Sequence, residues 1–250
     1  MRAMQTWFIG CSGYHYRHWK ERFYPRGLPQ RRWFEYYSQH FDTLELNVTF
    51  YRFPQVSFLQ NWHAQSPDNF RFSVKAPRLI THYKQFHEVQ QLLNDFYQTI
   101  QLGLQEKLGA VLFQLPPKMA FTPERLQRII TSLDPAYHNV LEPRHASWWQ
   151  PSIYEELAQH NISFCGMSHP DLPRDVVANT EVLYYRLHGV PELYKSPYAV
   201  EELRQLAQQL AAPEHVREAY IYFNNDIDAS AILNATQLQE IYRVAGSAGE

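Results

Sequence analysis

The stretch Thr43-Leu44-Glu45-Leu46-Asn47-Val48-Thr49-Phe50-Tyr51-Arg52-Phe53-Pro54 decides how this chain is read. Over 43–49, apolar and polar residues alternate with the period of a strand. Leu44, Leu46 and Val48 take one side, and Glu45, Asn47 and Thr49 the other. A solvated strand face is usually written in Thr, Ser or Lys. This one carries a carboxylate and a carboxamide in line, then aromatics, an arginine and a proline. Such an order suits a strand whose end faces other strand ends.

Outward from that stretch the same grammar repeats. Trp7-Phe8-Ile9-Gly10-Cys11-Ser12-Gly13 is an apolar strand opening into a glycine-flanked turn. Helical spacing is expected at 31–41, 56–65, 84–104, 123–133, 151–160, 199–210 and 229–244. Strand patterns fall between, at 71–75, 108–115, 138–144, 162–167, 182–187 and 219–224, while 168–180 holds Pro170 and Pro173 and no helical pattern. Eight strand–crossover units, seven of them with helices, over 250 residues have the rhythm of a (β/α)8 TIM-type barrel. The expectation is therefore an α/β protein of one barrel domain over 1–250, irregular after the sixth strand. A doubly wound open sheet would carry a glycine-rich phosphate turn running straight into a helix. Gly10-Cys11-Ser12-Gly13 lacks both the third glycine and that helix.

The totals narrow the class. Lys and Arg number 23 against 25 Asp and Glu, so the whole molecule has no basic field for nucleic acid. Cys11 and Cys165 stand far apart, without a CxxC or a Cys/His run of zinc spacing, as in a reducing compartment. The first residues lack a signal-peptide pattern, and the apolar run 7–9 is too short to span a bilayer. A cytoplasmic protein with no membrane partner is expected. Nothing in the pattern specifies an oligomeric state.

Barrel alternation converts the strands into a list of inward residues near their carboxyl ends. The second strand offers Glu45 and Asn47, the third Ser73 and Lys75, and the fourth Gln114. The fifth offers Glu142 and Arg144, the seventh Arg186 and His188, and the eighth Asn224 with Asp226 beyond it. Interiors of such barrels are normally Val, Ile or Leu, and a buried charge costs several kcal/mol unless paired. The signs balance here: Glu45, Glu142 and Asp226 against Lys75, Arg144 and Arg186. A structural ion-pair network would account for that, as would a functional site.

Gly10-Cys11-Ser12-Gly13-Tyr14, Phe23-Tyr24-Pro25, Glu45 to Tyr51, Phe72-Ser73-Val74-Lys75 and Gln114-Leu115-Pro116 resemble motifs of the YecE-like family. So do Glu142-Pro143-Arg144, Tyr185-Arg186-Leu187-His188-Gly189 and Tyr222-Phe223-Asn224-Asn225-Asp226. The resemblance runs in order over about 9–245. It implies a TIM-type barrel and, since the family is named as a domain of unknown function, no reaction. The family tends to carry an aspartate after the sixth strand, where this chain has Met167-Ser168-His169. No carboxylate role carries over to that position.

Singly, the residues suggest roles. Glu142 either orients Arg144 by a salt bridge or serves as a general base held by it. His188, before Gly189, is the inward histidine at a strand end. Lys75 could bind an anion, form a Schiff base if its pKa were depressed, or neutralise Glu45, whose nearest cation it is expected to be. Tyr51, Trp148 and Trp149 are candidate walls. The catalytic candidates are Glu142, His188, Glu45 and Asp226. The substrate-binding candidates are Asn47, Tyr51, Lys75, Gln114, Arg144, Trp148, Arg186 and Asn224. No cofactor is called for, although Glu45, Glu142, His188 and Asp226 are hard ligands open to a divalent metal.

Two functions follow. One is an enzyme acting on a small phosphate- or carboxylate-bearing substrate, by hydrolysis or proton transfer. The other is a nucleic-acid-binding protein, with a metal-assisted phosphodiesterase as its enzymatic form. Its support is the loop 14–34, with six basic residues against Glu21, a formal +5, interleaved with aromatics. Rings that simply pack on the barrel would give that loop the same composition.

Overall fold

The computed structural model describes residues 5–247 and lays eight parallel strands in the expected order. They are β1 (Thr6–Cys11), β2 (Thr43–Leu46), β3 (Arg71–Lys75), β4 (Leu108–Gln114), β5 (His138–Glu142), β6 (Ile162–Ser168), β7 (Val182–Leu187) and β8 (Glu218–Phe223). The crossovers carry α1 (Trp33–Ser38), then α2 (Val48–Tyr51) with α3 (Val56–Gln65), α4 (Gln90–Leu104), α5 (Pro123–Ser132), α6 (Pro151–Gln159) and α7 (Val200–Ala211). Helix α8 (Ser230–Ser247) closes the circuit. Between β6 and β7 the chain runs without a helix, as Pro170 and Pro173 require. The hydrogen-bonded order β1-β8-β7-β6-β5-β4-β3-β2 goes once round, so the fold is the (β/α)8 barrel.

Closure at the β1–β2 seam uses side chains, because these two strands are not joined by a ladder. The Tyr37 hydroxyl accepts from the Cys11 N–H at 2.9 Å and donates to the Thr43 carbonyl at 3.0 Å. Asn47 Nδ2 adds a bond to the Ser12 carbonyl at 3.2 Å. The strands approach so closely at this point that a Cβ on Gly10 would fall on the Thr43 carbonyl oxygen and 2.8 Å from the Tyr37 hydroxyl.

Inside, the barrel has two zones. The lower zone is apolar: Phe8, Ala110, Leu112, Val140, Cys165 and Val182 pack with Tyr184, Tyr220 and Tyr222. Those phenols are paired, Tyr222 with Ser73 at 2.9 Å and Thr43 at 2.5 Å, and Tyr184 with Glu45 at 2.7 Å. Above them lies the charged zone. The larger apolar core fills the space between strands and helices.

Three expected elements are shorter than their patterns. Strand β2 stops at Leu46, where Asn47 turns helical and the Thr49 hydroxyl binds the Leu46 and Lys75 carbonyls at 2.8 and 2.6 Å. Val48 therefore points to solvent rather than joining Leu44 and Leu46. The helix expected over 84–104 begins only at Gln90. Before it, Gln85, Phe86 and Glu88 adopt positive φ as Phe86 and Val89 enter the core. The helix expected over 31–41 is α1 alone, entered through a 3₁₀ turn.

Tyr37→Phe should leave the Cys11 N–H and the Thr43 carbonyl unpaired at the seam, at about 1–3 kcal/mol for an unsatisfied buried group. Thermal denaturation should show a melting temperature lower by roughly 2–12 °C for a chain of this size. An unchanged melting temperature would mean the seam closes by other means.

Candidate functional site

Arg186 sits at the centre of the charged zone. From β7 its Nη1 donates to Glu142 Oε2 and its Nη2 to Glu45 Oε1, each at 2.6 Å, with Ser12 Oγ at 3.4 Å from Nη2. One guanidinium thus joins the ends of β2 and β5 across the barrel. Glu45 is completed by Tyr184 on its other oxygen. The nearest cation of Glu45 is therefore Arg186 and not Lys75, because Arg186 reaches across the barrel while Lys75 turns to Gln114. All three charged groups are fully buried.

Arg144 follows Pro143 just past β5 and pairs through Nη2 with Glu142 Oε1. Burial alone would push Glu142 upward, but Arg144 and Arg186 outweigh it and hold the carboxyl well below the usual carboxylate range. A carboxylate held in this way stays ionised and accepts a proton poorly. Its two oxygens are taken up by Arg144 and Arg186.

Arg144 Nη2 also donates to His188 Nε2 at 2.9 Å. The other ring nitrogen, Nδ1, lies 3.2 Å from Asn224 Nδ2. Burial, followed by the charges of Arg144 and Arg186, holds His188 well below the ordinary histidine range, with Glu142 acting in the opposite sense. His188 is a neutral imidazole sealed from solvent, in contact with Arg144.

Lys75 and Gln114 form the opposite wall, with Lys75 Nζ donating to Gln114 Oε1 at 2.5 Å. The ammonium stands 4.3 Å over the Phe50 ring, and the His82 ring lies edge-on to the same ring at 5.0 Å. Burial and then the Arg186 charge push Lys75 down to about 8, against the pull of Glu142 and Glu45. His82 and His169 are also depressed, by burial first and then by Lys75 and Arg144 respectively. At each of these imidazoles the nearby cations act in the same direction as burial, and Glu142 acts against them.

Lys75, Gln114, Glu142, Arg144, Arg186, His188, Asn224 and Glu45 come together as expected, with Asn47 attached through Ser12. Three candidates fall elsewhere. Asp226 turns outward to the loop 14–34, accepting from Trp19 Nε1 at 2.7 Å and pairing with His18 Nε2 at 2.9 Å, and burial pushes it up to about 6 against those two partners. Trp148 is a core residue whose Nε1 donates to the Met119 carbonyl. Tyr51 is largely exposed and stacks on Arg78; its neighbour Phe50 lines the wall instead. With Asp226 removed and Glu45 and Glu142 held by arginine, the four hard ligands do not converge. Among the described residues no group of three His, Cys, Asp or Glu could hold a metal.

Sequence alone missed Ser12, His82, His169 and Tyr184. Ser12 had a signal in the turn 10–13, and His169 one in the departure after the sixth strand. His82 had none, lying where a loop was expected. In the loop 14–34, Trp19, Tyr24, Trp33 and Phe34 are buried, while Arg17, Lys20, Arg22, Arg26, Arg31 and Arg32 are exposed. Those four rings pack on the barrel, while Tyr14, Tyr16 and Phe23 are half-buried against the same core. A cleft of about 470 Å³ lies beside Arg186, with Ser12, Glu45 and Asn47 in its lining and Tyr14, Phe58 and Trp62 among its apolar walls.

No described helix is long and apolar enough to cross a membrane. Comparison with known proteins gives consistent relatives. The UPF0759 protein YunF of Bacillus subtilis (strain 168) is 27% identical over 277 residues, covering 94% of each chain. The UPF0759 protein YecE of Escherichia coli (strain K12) is 27% identical over 137 residues, so this chain spans about half that relative's length, 49%. The crystal structure of a DUF72 family protein (TM1631) from Thermotoga maritima superimposes with a TM-score of 0.87 at 27% identity, covering 96% of this chain and 100% of that one. A DUF72 family protein (EF0366) from Enterococcus faecalis shares the fold, with a TM-score of 0.79 at 19% identity over 95% of this chain and 96% of its own. The model described as "Protein of unknown function DUF72" matches residues 8–248, and the chain belongs to that family, the YecE-like proteins.

Proposed function

We propose that the barrel mouth is the active site of an enzyme that binds a small phosphate- or carboxylate-bearing substrate. One observation carries the reading. With Asp226 turned to Trp19 and His18, the cluster keeps Lys75, Arg144 and Arg186 against Glu45 and Glu142, one positive charge in excess. An excess charge in a desolvated cluster is expensive, and an anion would neutralise it.

The groups divide by access. Glu45, Glu142, Arg186 and His188 are sealed and act as positioning residues. Lys75 and Arg144 retain some exposure, and Gln114, Asn224 and His82 more, so these meet the ligand. Arg144 offers the charge-assisted contact, Gln114 and Asn224 fix polar atoms, and His82 moves a proton. A preorganised set of donors aimed at developing negative charge suits hydrolysis or proton transfer beside an oxyanion.

Arg144→Gln should weaken sulfate or phosphate binding about 10–100-fold, the weight of one charge-assisted contact, by calorimetry on protein whose circular dichroism is unchanged. A panel of phosphates, sulfates and carboxylates that binds the variant as well as wild type would sink the reading. Turnover of any substrate found by screening should fall with Glu142→Gln, which loosens Arg144. The pH dependence has a definite sign. Lys75 is a cation below about 8, so sulfate affinity should fall as pH rises through that value, and Lys75→Met should remove the step.

A further inference from the structure

Lys75 differs from the other cations of the cluster in having no carboxylate partner. Glu142 gives its oxygens to Arg144 and Arg186, and Glu45 gives its own to Arg186 and Tyr184. Among the described residues Lys75 enters no ion pair; its hydrogen-bond partner is the neutral Gln114 carbonyl at 2.5 Å. The side chain is nine-tenths buried at the carboxyl end of β3, where barrel enzymes place reacting groups. Burial, then the Arg186 charge, disfavours its protonation; Glu142 and Glu45 pull the other way, and Arg144 adds to the depression. A desolvated amine beside fixed cations is the arrangement that makes lysine a nucleophile.

We infer that Lys75 forms an imine with the carbonyl carbon of a small oxo-acid or aldehyde-bearing anion, a substrate class that takes both an amine and a guanidinium. The inference rests on the anion reading above, with Arg144 holding the carboxylate or phosphate while the carbonyl meets Lys75 Nζ. The amine lone pair adds to the carbonyl carbon, and the π pair moves to oxygen. That oxygen takes two protons and leaves as water, while the nitrogen gives up two protons and closes the C=N bond. His82, packed on the same Phe50 ring, relays protons between the two. No oxidant or reductant is consumed. Ordinary lysine is about 0.03% neutral at pH 7, whereas an amine titrating near 8 is about 10% neutral.

The test is reductive trapping on the whole protein with cyanoborohydride at pH 7, with glyoxylate or acetaldehyde as the carbonyl, followed by peptide mapping. Glyoxylate should label Lys75 about tenfold or more over the exposed Lys20, Lys84, Lys118 and Lys195, with acetaldehyde less selective. Lys75→Met should lose that adduct, and the enrichment within wild type stands even if the variant folds poorly. Equal labelling of Lys75 by both probes would uphold the imine and count against anion recognition. Labelling of the exposed lysines without enrichment at Lys75 would overturn the imine, whatever the outcome of sulfate binding.

Discussion

One guanidinium organises the upper half of this barrel. Arg186 spans from β7 to carboxylates on β2 and β5 and is buried with both. Removing three charges from water costs several kcal/mol each, and short bidentate-like contacts repay it only when every partner is in place. The neighbouring choices follow from that demand. Tyr184 completes Glu45, Arg144 completes Glu142, and His188 stays neutral because it is buried and also faces two cations. The apolar zone beneath supplies the low dielectric that makes these contacts strong.

A set locked this tightly is poorly suited to exchanging protons itself. Its use is to fix the groups at its edge, where Arg144, Lys75, Gln114 and Asn224 retain access. Lys75 shows the tension most clearly. As a cation it assists anion binding, and as a free amine it is a nucleophile; its titration near 8 lets both forms exist close to neutrality. The β1–β2 seam belongs to the same construction. Ser12 and Asn47, which tie the strand ends together, also touch the surroundings of Arg186.

Much of the site was legible because period-two alternation places every second strand residue inside a barrel. Glu45, Lys75, Gln114, Glu142, Arg144, Arg186, His188 and Asn224 all sit where alternation puts them. The rule failed where a strand ended. Val48 and Tyr51 belong to a helical turn and not to β2, and Asp226 lies three residues past β8 on a turn that aims it at Trp19. Trp148 shows a different limit. A tryptophan beside a strand-end arginine looks the same in sequence whether it walls a pocket or fills the core.

By itself the sequence determined the barrel, its missing helix and the roster of polar inward residues, since hydrophobic period and proline placement act locally. Only the tertiary structure decided who pairs with whom. Arg186 reaches Glu45 over a separation of 141 residues, and Asp226 leaves the cluster for a loop 207 residues earlier. These pairings depend on distances across the barrel, which no local pattern encodes. They turn a balanced list of charges into a buried cluster with one positive charge to spare.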